Sequence, residues 1–216
     1  MRNTILIAVV CAFLATPALA DPYTFKQISG DDVGSAAGSW FSVTISEIEG
    51  GVSFKFLNEA PTYLDDGKVR SPVITDVFFF DGKLINAESW TLGGTAAYPM
   101  WTQYEETQSM PGFGGQTVAL YAAEADSPAP KYGIFSGQYL TVDFDLLEGV
   151  TVANVIDSLY LDGAAVRIPD TLQIGIKVQC FEGGGSAEFV LVPVPGAVLL
   201  GFLGLGYAGM RLRREV

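Results

Sequence analysis

In the stretch Trp40-Phe41-Ser42-Val43-Thr44-Ile45-Ser46, and again in Val52-Ser53-Phe54-Lys55-Phe56-Leu57, large apolar residues recur at every second position, with Glu49-Gly50-Gly51 between the two. Successive side chains of a strand point to opposite faces, so a period of two lays one face on a core and leaves the other in water. Glycine supplies the positive φ that a tight turn needs, and the stretch therefore predicts a β-hairpin. Working outward, further strands are predicted at 73–80, 83–90, 117–123, 139–146, 171–181 and 187–192, with Asp81-Gly82 closing a second hairpin between the first two of these.

One segment departs from the alternation. Thr151-Val152-Ala153-Asn154-Val155-Ile156-Asp157-Ser158-Leu159 spaces Val152, Val155, Ile156 and Leu159 as one face of a helix behind a threonine N-cap. It is expected to be the one short helix of the body. Gly93 to Gly115, rich in Gly, Pro, Thr and Tyr, reads as a long loop, and Gly183-Gly184-Gly185 as either a hinge or a turn before the last strand. Many short strands with turn signals between them define an all-β protein, with an antiparallel β-sandwich or jelly-roll body.

The chain of 216 residues carries 12 Lys and Arg against 24 Asp and Glu, has no His and only two Cys, and is 49% hydrophobic. That apolar share excludes a disordered chain. The lack of histidine excludes Ser-His-Asp and Cys-His catalysis and imidazole metal sites. Both ends stand apart from the body. Met1-Arg2-Asn3, the apolar run Ile5 to Leu14, and Ala18 and Ala20 before Asp21 have the three parts of a secretory signal peptide, residues 1–20, with cleavage expected between Ala20 and Asp21. At the other end, residues 190–210 are uncharged over a length sufficient for a hydrocarbon core of about 30 Å, with the membrane span expected at 194–210, and Arg211, Arg213 and Arg214 form a basic tail over 211–214. The positive-inside preference puts that tail in the cytoplasm and the body outside.

Pro193-Val194-Pro195-Gly196, the Gly- and Leu-rich apolar segment and the arginine cluster together resemble, over residues 192–216, the PEP-CTERM sorting signal of bacterial exported proteins, with Val194 where that signal usually has Glu. The body resembles, through Gly51 to Phe56, Ile74 to Phe80 and Leu172 to Gln179, the small surface proteins that carry this signal. The resemblance implies an exosortase-type sorting enzyme as partner, passage through the inner membrane, and a final place in the cell envelope or the extracellular, exopolysaccharide matrix. It implies no enzymatic activity.

Between the two signals, residues 21–191 retain 8 basic and 23 acidic residues once Arg2, Arg211, Arg213, Arg214 and Glu215 are set aside, a net charge of about −15. Such a surface repels nucleic acid. Cys11 leaves with the signal peptide, so Cys180 has no partner for an internal disulfide and is expected inside the core. Trp90, Tyr98, Trp101 and Tyr104, with Phe113 nearby, are candidates for a platform stacking on sugar rings. Asp143 and Asp145 share one face of a strand, where a solvated face is the expectation. No catalytic or cofactor residue is singled out. Calcium is the ion that Asp-rich turns such as 29–32 or 64–67 would take, although the EF-hand spacing is absent. The expected function is a non-catalytic envelope or matrix protein. The alternatives are a secreted carbohydrate-binding module and a glycoside hydrolase working through two facing carboxylates.

Overall fold

The computed structural model describes residues 22–80, 84–96, 100–106, 108–113, 119–159 and 171–192, leaving aside the side chains of 86–89. The expected signal peptide, with Ala18, Ala20 and Asp21, and the expected sorting segment, with Pro193, Val194, Pro195, Gly196, the 194–210 span, Arg211, Arg213 and Arg214, lie outside these residues, as does Tyr98. Among the described residues no helix is long and apolar enough to cross a membrane.

The chain is mostly β. Its strands are β1 Tyr23–Gly30, β2 Phe41–Ile48, β3 Gly51–Asn58, β4 Tyr63–Asp65, β5 Lys68–Arg70, β6 Val73–Phe80, β7 Ile85–Gly94, β8 Trp101–Glu105, β9 Tyr121–Ala125, β10 Tyr139–Leu146, β11 Gln173–Gln179 and β12 Ser186–Val192. Ten of them form a single antiparallel sheet in the order β7-β10-β3-β2-β1-β12-β11-β6-β9-β8, and β4-β5 is a separate hairpin. The predicted β2-β3 hairpin forms in register, Ile48 opposite Gly51, around Glu49 and Gly50, whose φ is +75°. The predicted helix forms as α2, Val152–Asp157, with Thr151 and Asn154 in a reciprocal capping box.

Three expectations are corrected. β6 and β7 do not form a hairpin at Asp81-Gly82, since β6 lies between β11 and β9 while β7 pairs with β10. An Asp-Gly turn signal is local, and here the pairing is set by where β6 finds cover for both its faces. The loop read over 93–115 contains the end of β7 and all of β8, and α2 is joined by a short helix α1, Ala129–Tyr132, and a 3-10 turn, Ala37–Trp40. The alternation also leaves β1 and the small strands β4 and β5 unmarked.

The sheet curls until its distant strands meet. Phe79 on β6 packs edge-to-face at 5.1 Å on Phe54 and 5.9 Å on Phe56 of β3, and at 4.9 Å on Phe144 of β10. At the seam between the sheet's two ends, Trp90 of β7 stacks on Phe144 at 5.3 Å, and the Gln103 side-chain amide of β8 donates to the Trp90 carbonyl at 3.2 Å. The outer face of the sheet carries a second, smaller cluster. There Phe78, Phe80, Ala122 and Val190 are covered by Met110 and Phe113, whose ring lies 3.9 Å from that of Phe80 and nearly parallel to it. Gly175 makes this cover fit, because a Cβ there would come within 2.3 Å of the Met110 sulfur. All eight residues of β6 are consequently buried.

Phe79 is fully buried, so Phe79→Ala is expected to cost about 3 to 5 kcal/mol by lost transfer energy plus a cavity. Urea unfolding of residues 22–192 followed by circular dichroism checks this. The same transition is expected to be unmoved by dithiothreitol, since Cys180 is free.

Candidate functional site

Register divides the body into two ends. Thr24 faces Val192 on adjacent strands at one end, and Ser186, Gln179 and Val73 line up across β12, β11 and β6 at the other. The second end holds the described cavities, grouped around the β4-β5 hairpin. That hairpin turns through Asp66 and Gly67, both at positive φ (+49° and +73°), the requirement of a two-residue type I′ turn. Buried Asn58 sets its root: the side-chain amide donates to the carbonyls of Pro72 (2.8 Å) and Ile134 (2.7 Å), while its oxygen accepts from Ala60 N–H (2.9 Å). The Tyr63 hydroxyl ties β4 to the Cys180 carbonyl at 2.6 Å, and Arg70 Nε pairs with Asp65 at 3.0 Å.

On one side of the hairpin a cavity of about 510 Å³ is walled by Trp40, Tyr63 and Phe181 and edged by Asp31, Asp32 and Glu182. A neighbouring cavity of about 480 Å³ has Asp31, Asp65, Arg70 and Lys177 on its walls. On the opposite side, an apolar groove of about 500 Å³ runs over Val69, Val73, Pro130 and Phe135 and is rimmed by Lys68, Arg70 and Lys131. Cys180 lines the second and third of these cavities and is half-buried with φ +62°, not interior as expected, because β11 ends one residue before it. Burial pushes its thiol up despite the opposing charge of Arg70, so near neutral pH it is protonated and a poor nucleophile. The three glycines at 183–185 form the turn into β12, all with positive φ.

Trp90 and Trp101 do not form the candidate aromatic platform. Both are buried in the core, the Trp101 indole donating to the Tyr132 carbonyl at 2.9 Å, and Phe113 is buried under the outer face. Tyr104 is half-buried against that same outer cluster. Alternation and spacing cannot tell a core aromatic from a binding one, since both present the same large apolar ring in sequence and only the cover over each position differs. The ring-lined cavity instead draws Trp40 and Tyr63 from the 3-10 turn and the unmarked hairpin. In the Asp-rich turns, Asp31 accepts from Ser186 N–H and Asp32 from Gly34 N–H, and Asp65 serves Arg70. No three carboxylate or thiol groups gather closely enough to hold a metal among the described residues. Asp143 is half-buried and Asp145 exposed, alternating with buried Val142 and Phe144.

Two other carboxylates are buried. Asp76 and Glu188 stand on either side of Lys177 in a row across the outer face, with Glu124 beyond Asp76 and Ser29 donating to Glu188. Burial pushes the Asp76 carboxyl up to about 6. The Thr75 hydroxyl hydrogen bond and Lys177 oppose the rise, and the charges of Glu124 and Glu188 reinforce it. Neither Asp76 nor Glu188 lines any of the three cavities. Comparison with family models, with curated proteins and with solved structures finds no match.

Because the folded pKa of Asp76 lies above its ordinary 3.8, the folded state holds this proton more tightly than the unfolded chain does. Its stabilising contribution is fully present below about pH 4 and is lost as pH rises through about 6. The loss is expected to be on the order of 2 to 3 kcal/mol, from ~1.4 kcal/mol per pH unit. Chemical denaturation between pH 4 and 8 should therefore show a decline in the wild type that is absent in Asp76→Asn. Parallel pH profiles would refute this.

Proposed function

We propose that the chain is an exported protein of the cell envelope or extracellular matrix, with a non-catalytic body of sandwich or jelly-roll type. In this reading the 1–20 signal delivers it, the 194–210 span holds it in the inner membrane, and an exosortase-type enzyme cuts near Pro193 to Gly196. The observation that carries it is the three-part C-terminal sequence, Pro-Val-Pro-Gly, an uncharged stretch and an arginine cluster, together with the basic, apolar and small-residue parts of the first 20 residues. The pairing of Thr24 with Val192 supports it physically. The first and last described strands therefore meet at one end of the body, and a cut at 193 removes none of the described strands. On sequence grounds Pro193 and Pro195 disfavour a regular helix before the span, since each lacks an amide donor and its ring clashes one turn back, which suits protease access.

Changing Arg211, Arg213 and Arg214 together to Asn is expected to reduce trimmed, released protein in the native host. Peptide mass spectrometry of the released fraction should find no sequence beyond Gly196. Recovery of the intact C-terminal peptide from extracellular protein would overturn the cleavage.

Against a hydrolase stands the placing of the two buried carboxylates outside the cavities. A carbohydrate-binding role has one observation in its favour, the cavity walled by Trp40, Tyr63 and Phe181 with three carboxylates at its edge. Sugar hydroxyls donate to carboxylates, and C–H faces lie on aromatic rings. Under this reading neutral oligosaccharides change the tryptophan fluorescence of the body, and Trp40→Ala removes at least nine-tenths of the response. A response unaltered in Trp40→Ala would exclude this cavity.

A further inference from the structure

We infer that copies of the body associate head to tail, the acidic tip of the β2-β3 hairpin of one copy entering the basic, apolar groove beside the β4-β5 hairpin of the next. The inference uses only residues of the folded body and is independent of how the chain is sorted.

Four large apolar side chains are exposed among the described residues, and they fall into two places. Val69 and Phe135 lie in the groove, and Leu64 is the cross-strand partner of Val69 on the same small hairpin. The fourth is Ile48, at the tip of the β2-β3 hairpin between exposed Glu47 and Glu49. An exposed aliphatic group loses contact with water only by finding an apolar cover.

Charge makes the two places complementary. The body has 8 basic residues against 23 acidic ones, yet Lys68, Arg70 and Lys131 rim this one groove, and no acidic side chain lines it. Arg70 is engaged by Asp65, and the Lys131 ammonium stands 4.9 Å over the Tyr132 ring. Among the described residues neither the Lys68 nor the Lys131 ammonium forms a salt bridge, so both charges are left to answer the two carboxylates flanking Ile48. A second copy of a chain so acidic is an abundant source of such carboxylates, and in 0.15 M salt its general repulsion is screened beyond about 8 Å while contact pairs survive.

The two surfaces sit at opposite ends of the body. β2 is level with Tyr23 at Val43 and runs on to Ile48, past the start of β1, whereas the groove lies by Val73 at the far end of β6. A contact between unlike surfaces at opposite ends is heterologous, so it propagates into chains unless the rotation closes a ring. A hairpin tip buries less than a standard interface of about 1,600 Å², so the association is expected to be weak and visible only at high protein concentration.

The test measures weight-average mass by sedimentation equilibrium in 0.15 M salt. It uses residues 22–192, which supply every strand and core side chain described above, and then the full chain in detergent micelles. Wild-type mass is expected to rise with concentration. Glu47→Lys/Glu49→Lys at the tip, and Lys68→Glu/Lys131→Glu at the groove, each place like charges opposite one another and should weaken association at least tenfold. An equimolar mixture of the two variants pairs opposite charges again and should restore it, which also shows that both are folded. Wild type monomeric at about 1 mM, leaving the groove to a foreign anionic ligand, would overturn the inference. So would variants that associate as the wild type does, or a mixture that stays monomeric.

Discussion

Both faces of β6 are out of water, and much of the molecule is arranged to keep them so. On the inner side Phe79 must meet β3 and β10, which are far from β6 in strand order, and the sheet can bring them there only by curling. On the outer side Phe78 and Phe80 need a cover that the sheet cannot provide, and Met110 and Phe113 supply it. A strand dry on both faces reads as a nearly continuous apolar run. Thr75 and Asp76 are the polar exceptions within it, and the raised pKa of Asp76 follows first from its burial.

The far end of β6 is where the chain departs from the sheet, and the cavities gather there for that reason. Asn58 joins two separate backbone segments through its amide, so the root of the β4-β5 hairpin and the segment carrying Phe135 keep a constant separation across the groove. The hairpin stands off the main sheet with only its own two strands paired. Its outward residues can thus be basic and apolar on a body that is elsewhere acidic. The opposite end carries the start of β1 and the end of β12 side by side.

The aromatic residues divide along the same line. Trp90, Trp101 and Phe113 sit where the curled sheet needs bulk, at the seam, near α1 and under the outer cover. Trp40 and Tyr63 sit where the chain is between sheet strands, half-exposed on a cavity wall. In sequence the two sets look alike. What separates them is the number of layers over each position, a property of the assembled sheet.

Local regularities were legible from the residues themselves. The alternation around Trp40 to Leu57 marks its hairpin, 73–80 and 139–146 are strands over their full predicted lengths, and Thr151 with Asn154 marks the start of α2, because the hydropathy pattern and capping residues that mark each are local in the sequence. The export and sorting signals proposed for the two ends likewise rest on patterns of local hydropathy and charge. Which strands pair was decided only in three dimensions. Asp81-Gly82 carries a good turn signal, yet β6 found its neighbours in β11 and β9, a position where the curled sheet covers its inner face and Met110 and Phe113 cover its outer one. The groove, the ring-lined cavity and the half-exposed Cys180 arise where segments distant in sequence converge. No period in the chain encodes such a meeting, because it depends on the curl of the whole sheet.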